Sequence, residues 1–210
     1  MKWINFLKEN KIPYYVYKLN QSDSIIIYKK NHNDNKFIIV LYGSIYTVKN
    51  FSNQEILPIA ILNKNSIFIN TSNNHKFYYT LTALEKTYLL TFQSNILNRE
   101  DRSISLDINL VDIYKKTLKK YEIMNEIISQ RYLENRIIQL ILSMCIEFGV
   151  VKHEGIYIPF TLSQKDIATM TGTTKTTVNK IMQKMYKNGV IKYSNKKTIY
   201  IRDIFDLYFK

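Results

Sequence analysis

The period of apolar positions changes twice along the chain. From residue 13 to 95, short runs of β-branched and aromatic residues are separated by clusters of Asn, Asp, Ser and Lys. Tyr14–Tyr17, Ser24–Tyr28, Phe37–Leu41, Ser44–Val48, Ile59–Leu62, Phe77–Leu81 and Thr87–Phe92 have the length and residue types of strands. Such side chains fit a pleated, half-buried surface, and strands so evenly spaced predict an antiparallel sandwich or jelly roll. Short helices are expected at Trp3–Asn10 and near Gln93–Arg99. Tyr42-Gly43-Ser44 reads as a turn or bend within one hairpin.

From Leu110 the period becomes helical. Leu110, Tyr114, Thr117, Tyr121, Met124 and Ile128 recur at alternating spacings of four and three, the seam of a coiled-coil-like pairing. A helix laid on its own domain would carry the same pattern. The seam breaks around Ser129–Arg131. Beyond it, Ile137, Ile138, Leu140, Ile141, Leu142, Met144 and Cys145 form a densely apolar second helix, stopped by Gly149. The resulting division is 1–109 for a β-rich domain, 110–130 for a dimerisation helix, and 131–210 for a C-terminal domain.

The segment after Leu162 carries the most specific pattern. Ser163 can cap a helix whose third position is Asp166, a short-armed capping box. Ala168 is small where two helices must approach closely, and Gly172 can take the positive φ of a tight turn. Val178 and Ile181 then lock a second helix across the first, which completes a helix-turn-helix. At 100° per residue, Val178, Ile181, Met182 and Met185 share one face of that second helix. Lys175, Thr176, Asn179, Lys180 and Gln183 share the other. One face suits a core, and the other offers ammonium and amide groups to base edges and phosphates. An ordinary amphipathic helix with a solvated basic face is the plainer alternative. Val190–Tyr193 and Thr198–Ile201 read as a β-hairpin, making a winged helix with Lys196 and Lys197 at the wing tip. Gly155–Phe160 supplies a further short strand or an ordered lead-in.

Charge supports this placement. The 210 residues hold 30 Lys plus Arg against 17 Asp plus Glu, a net charge of +13. Of the cations, 25 are Lys and 5 Arg, beside 21 Asn, 17 Tyr, 5 Gly and 3 Pro, a composition that A/T-rich codons favour. Location is therefore more telling than total charge. Residues 160–210 contain ten cations and three anions, an excess suited to a polyanionic partner. The single cysteine, Cys145, excludes an intramolecular disulfide and cysteine-built metal centres. His32, His75 and His153 have no metal-ligand spacing, and no apolar run approaches the ~18 residues of a membrane span. The N-terminus shows no signal or transit peptide. A soluble protein of a reducing compartment is expected, with no membrane association.

Strand-rich domain, long helix and winged helix, in that order, resemble the Crp/Fnr family of transcription regulators over nearly the whole chain. The resemblance is strongest to its cyanobacterial global nitrogen regulators and their plastid-encoded relatives. It rests on Asn135-Arg136 through Ile141-Leu142, Cys145 through Val150, Leu162-Ser163, Ile167-Ala168, Gly172, Thr174-Lys175, Thr177-Val178 and Lys180. It implies an α+β architecture: an N-terminal jelly roll like a cyclic-nucleotide-binding, sensor-like domain, a dimerisation helix and a C-terminal winged helix-turn-helix. It also implies a homodimer on palindromic double-stranded DNA, with RNA polymerase as a further partner. The DNA-facing set is then Ser163, Gln164, Lys175, Thr176, Asn179, Lys180, Lys196 and Lys197. The family usually has Arg at the positions of Lys175 and Lys180; lysine keeps the charge but loses the bidentate fork on guanine. Thr176 stands where the cyclic-AMP receptor has Glu, which argues against that receptor's operator. The nitrogen branch implies half-sites of the GTA…TAC type.

The effector region departs from the family. Nothing matches the Gly-Glu and Arg-Ser elements that hold a cyclic nucleotide, so cyclic AMP is not expected. The positions through which the nitrogen branch senses 2-oxoglutarate fall on Phe68, Ile69, Lys76, Glu126 and Arg131. A loop glycine is replaced by Ile69 and a barrel arginine by Lys76. Glu126 and Arg131 keep their chemistry, but a pair of solvated helix charges explains them equally well. No cofactor is otherwise expected, with 2-oxoglutarate the one effector the resemblance leaves open. The composition and absent transit peptide fit a plastid-encoded stromal protein; an A/T-rich bacterial cytoplasm fits equally.

Two other function classes fit the sequence less well. A nonspecific basic nucleic-acid-binding protein would interleave aromatics and cations on an exposed sheet, and Tyr78 and Tyr79 are explained more simply as strand residues. An enzyme is not expected: Ser163 and Asp166 have no nearby histidine, G-x-S-x-G and phosphate-loop motifs are absent, and the acids are dispersed.

Overall fold

The computed structural model describes residues 2–28, 36–70, 76–93, 110–152, 155–194 and 198–203. Lys196, Lys197 and the three histidines lie outside the described residues, as does the expected helix after Gln93. The chain divides into two compact units, Met1–Glu55 with Ile59–Glu122 and Ile56–Pro58 with Ile123–Lys210. The expected boundaries at 109/110 and 130/131 flank the long helix, whereas this division runs inside it.

The first unit opens with α1 (Lys2–Glu9), followed by β1 (Tyr14–Leu19), β2 (Ser24–Ile27), β3 (Lys36–Tyr42) and β4 (Ser44–Phe51). β5 (Ile56–Asn63), β6 (Ile67–Ile69), β7 (Phe77–Ala83) and β8 (Thr87–Gln93) complete the strands. They form two four-stranded antiparallel sheets, ordered β1-β8-β3-β6 and β2-β7-β4-β5, the interleaving of a jelly roll. β3 shows why its sequence is a continuous apolar run. Phe37 and Ile39 face a cluster built with Trp3, Phe6 and Leu7 of α1, while Ile38 and Val40 face one shared with Ile45, Leu62 and Leu81 of the other sheet. A strand covered on both faces has no polar side to alternate with.

The first unit corrects three expectations. Tyr42-Gly43-Ser44 is not a bend within one hairpin: β3 and β4 belong to different sheets. The chain crosses between them at Gly43, whose φ is +80° and where an added Cβ would lie 2.5 Å from the Lys86 carbonyl oxygen. Only glycine fits that step. Ile67–Ile69, outside the expected strands, is β6. Its three residues are too few to show alternation. β5 starts three residues before the expected Ile59 and tolerates Pro58 because it is an edge strand.

Helix α2 (Leu110–Ile128) follows. Leu110 and Ile113 pack against the α1 cluster and Tyr121 against the inter-sheet cluster. Thr117 is buried: its hydroxyl accepts from the Ile67 N–H at 3.1 Å and donates to the Ile113 carbonyl at 2.9 Å. The first half of α2 thus seals the free edge of β6. Burial, with Tyr79 nearby, pushes the Tyr121 hydroxyl up to about 12.

The second unit contains α3 (Leu133–Phe148), β9 (Val150–Lys152), β10 (Gly155–Tyr157), α4 (Gln164–Thr171), α5 (Lys175–Lys187), β11 (Lys192–Tyr193) and β12 (Ile199–Ile201). The apolar run of α3 buries Ile137, Leu140, Ile141, Leu142, Met144 and Cys145. Gly149 ends it with φ −59° and ψ 135°, not in the left-handed form. Glycine is required there by crowding, since an added Cβ would meet the Cys145 carbonyl oxygen and lie 2.6 Å from Ile156 Cγ2. Burial pushes the Cys145 thiol up to about 11.

Candidate nucleic-acid interface

The two helices after Leu162 are fixed by local chemistry. Ser163 Oγ accepts from the Asp166 N–H at 3.1 Å, and Asp166 Oδ2 accepts from the Ser163 N–H at 3.1 Å, the reciprocal capping box. Such a cap stabilises a helix start by about 1 kcal/mol. α4 ends at Gly172, which is left-handed at φ +62° and ψ 41°; its N–H and that of Thr173 donate to the Ala168 carbonyl. Thr174 caps α5 by accepting from the Thr177 N–H at 3.2 Å. Between the two helices lie Gly172, Thr173 and Thr174, the tight turn its residues predict.

α5 then sorts its faces. Val178, Met182 and Met185 are buried and Ile181 is half-buried, beside buried Ile167, Ala168 and Met170 of α4. Lys175, Thr176, Lys180 and Gln183 are exposed, and Asn179 is half-buried on that same face. At its edge, Gln164 Nε2 donates to Asn179 Oδ1 at 2.9 Å. Ser163 is exposed and Gln164 half-buried. Six of the eight expected DNA-facing residues therefore sit on α4, its cap and α5. The other two, Lys196 and Lys197, lie outside the described residues.

β11 and β12 pair antiparallel, with Lys192 opposite Tyr200 and Tyr193 opposite Ile199, and Ser194 N–H donates to the Thr198 carbonyl at 2.9 Å. This hairpin joins β10 and β9 in one sheet, ordered β11-β12-β10-β9. Val190 and Ile191, expected in the strand, precede it and are buried under α5 instead, where both N–H groups donate to the Met185 carbonyl. A groove of about 980 Å³ runs across the sheet, with Lys152, Lys192 and Arg202 beside Tyr157, Tyr193 and Tyr200. The Tyr157 and Tyr200 rings lie 4.6 Å apart, tilted by 37°, and Lys152 lies 5.0 Å over the Tyr157 ring.

Three contacts that hold this unit together escaped the sequence pattern. Arg136 Nε donates to the Gln130 carbonyl at 2.8 Å and Nη1 to the Thr171 carbonyl at 3.5 Å, tying the start of α3 to the end of α4. Lys184 bonds both oxygens of Glu134, at 2.9 and 3.1 Å. Gln164–Asn179 is the third. Apart from the Arg136–Gln130 bond, each joins residues on different helices, where helical periodicity carries no signal.

The five expected effector positions fall in both units. Phe68 is buried in the inter-sheet core against Tyr79, with ring centroids 5.1 Å apart. Phe68 and Ile69 lie on a strand paired with β3, at Ile38 and Phe37, not in a loop. Lys76 is exposed at the start of β7. Glu126 and Arg131 are exposed, and the Arg131 guanidinium lies 5.5 Å over the Tyr132 ring.

Comparison with known proteins agrees with this geometry. Residues 135–208 match the Crp-like helix-turn-helix domain. The HTH-type transcriptional regulator ycf28 of Porphyra purpurea is 27% identical over 199 residues, covering 94% of this chain and 82% of that protein. The global nitrogen regulator of Synechocystis sp. is 22% identical over 163 residues, covering 75% of this chain and 72% of its own. A CRP-family transcriptional regulator from Thermus thermophilus superposes with a TM-score of 0.70 at 13% identity, covering 91% of this chain and 94% of that one. The chain therefore carries a Crp-like helix-turn-helix domain within the fold of the Crp/Fnr regulators, and an HTH-type transcriptional regulator and global nitrogen regulators are among its relatives.

Proposed function

We propose that this protein is a sequence-specific DNA-binding transcription regulator that acts as a homodimer on palindromic promoter sites in nitrogen control. The carrying observation is α5: its apolar side is buried against α4, and its exposed side presents Lys175, Thr176 and Lys180. An α-helix fits the major groove, and ammonium, hydroxyl and amide groups are what base edges and phosphates can bond. Lys196 and Lys197 act as phosphate contacts at the wing. The nitrogen link rests on the relatives named as global nitrogen regulators. The plastid stroma is the favoured compartment on the A/T-type composition and the resemblance to plastid-encoded regulators, with a bacterial cytoplasm the alternative. RNA polymerase is the partner through which such a regulator acts, and no catalytic role is assigned.

Binding-site selection on the purified full chain tests the reading. An enriched palindrome with half-sites one DNA turn apart, about 34 Å, is expected. Lys175→Ala and Lys180→Ala should each weaken binding to it by about 1–3 kcal/mol if they reach base edges. Equal binding to all duplexes would instead identify a nonspecific nucleic-acid-binding protein.

A further inference from the structure

The exposed face of α5 contains one side chain whose orientation is set by another helix. Asn179 sits between Lys175 and Lys180 on the helical wheel, half-buried where its neighbours are exposed. Its Oδ1 accepts from Gln164 Nε2 at 2.9 Å, across the turn from the first residue of α4. Gln164 is itself positioned by the capping box immediately before it. A carboxamide is planar, with acceptor and donor on opposite arms. Turning Oδ1 toward α4 turns the Nδ2 donors away from it.

We propose that Gln164 is a specificity-determining positioning residue: it holds Asn179 so that this point of the recognition face donates hydrogen bonds and does not accept them. The consequence follows from the major-groove code. Adenine is read by an amide that accepts from N6 and donates to N7 together. With Oδ1 turned inward to Gln164, the outward-facing group of Asn179 is its Nδ2 amino group, which suits guanine O6 or N7 and thymine O4. Cytosine, which presents the N4 donor, is disfavoured. Asn179 therefore selects an acceptor-bearing base edge at one position of each half-site. Lys175 and Lys180 are ammonium donors on every rotamer and need no such alignment. The inference rests on the DNA-recognition reading of α5.

Two single-atom-type changes invert the donor without changing its place. Asn179→Asp keeps an oxygen for Gln164 and puts a second oxygen where Nδ2 stood. Gln164→Glu replaces the donor with a carboxylate, which draws Nδ2 inward and turns Oδ1 outward. Site selection on the full-length wild type and both variants, with thermal melts to show that each is folded, reads the effect. Both variants should change preference at the same base pair of each half-site, away from guanine or thymine and toward cytosine or adenine. The change should be about fivefold, the range of one net hydrogen bond, with preferences elsewhere kept. Gln164→Ala should flatten preference at that base pair alone. A folded Gln164→Glu variant that selects the wild-type motif unchanged, or loses affinity equally for every sequence, overturns the role of Gln164. A wild type that enriches no motif overturns the DNA-recognition reading and this inference with it.

Discussion

Three glycines are needed for three different reasons. Gly43 meets backbone on its Cβ side, Gly149 is crowded in an ordinary extended conformation, and Gly172 has open space but a left-handed φ. At Gly172 the nearest atom to an added Cβ is Arg136 Nη1 at 3.8 Å, so the cost of a side chain there is conformational, about 1 kcal/mol. Cys145 gives a residue-scale prediction in pH. Its folded-state thiol is raised from 9.0 to about 11 by burial. Below pH 9 both states hold the proton and nothing depends on it. Between about 9 and 11 the unfolded chain releases the proton and the folded chain keeps it, so stability falls as pH rises. Denaturant melts should show a shallower alkaline loss in Cys145→Ala than in the wild type, and the native thiol should react slowly at pH 8. Equal alkaline slopes would show that burial does not hold the proton. Ser163 and Asp166 were legible as a cap because three residues of local geometry decide it. Gln164–Asn179 was illegible because the contact exists only once α4 and α5 have been placed.

At the level of elements, periodicity located α2 but misassigned part of its faces. Of the six seam positions, Thr117 and Met124 are buried and Leu110 packs on the α1 cluster. The plainer alternative, a helix on its own domain, holds for that side. The exposed apolar residues are Val111, Tyr114 and Leu118, at 60, 41 and 59%. Val111, Leu118 and Asn125 recur every seven residues, with Tyr114 three places after Val111 on the same exposed side. That is a heptad seam with an Asn at one of its inner positions, a residue that fixes the register of a two-stranded coil at some cost in stability. The amphipathic stripe is wide enough for both faces, and a one-dimensional pattern cannot say which edge meets its own domain. For the proposed dimer, Leu118→Glu should convert a sedimenting dimer into a monomer at micromolar concentration, with α2 still helical by circular dichroism. A wild type that already sediments as a monomer would remove the dimer. Strands were legible where alternation or β-branching ran for five residues or more. β6 was too short, and the partners of β3 and β4 depend on sheet order, which strand propensity does not encode.

For the whole molecule, charge placement gives a salt prediction. With seven of the +13 charges in residues 160–210, binding to duplex DNA should fall steeply with salt. Lys196→Ala and Lys197→Ala should weaken all sequences alike and each lower the slope by about one. A change confined to one motif would make them base readers.

Regulation is the other whole-molecule question, and the described residues give a physical reason to expect little of it from small molecules. A dianion taken out of water needs backbone N–H donors and fixed cations to replace its hydration. In β6 the Ile67 N–H is already bonded to Thr117 of α2, and Phe68 fills the inter-sheet core. Ile69 stands where a glycine would allow close backbone approach, and its β-branch resists it. Lys76 supplies charge but not the two-pronged contact of an arginine. Glu126 and Arg131 are exposed, where water competes for both. Binding of cyclic AMP is therefore expected to be undetectable by titration calorimetry, and binding of 2-oxoglutarate weak. Affinity for the selected operator should change little with either ligand, as for a protein that already populates its DNA-binding state. Shifting such an equilibrium requires a ligand that binds one state far more tightly than the other. Micromolar 2-oxoglutarate affinity accompanied by a matching gain in operator affinity would show that Ile69 and Lys76 still serve an effector pocket.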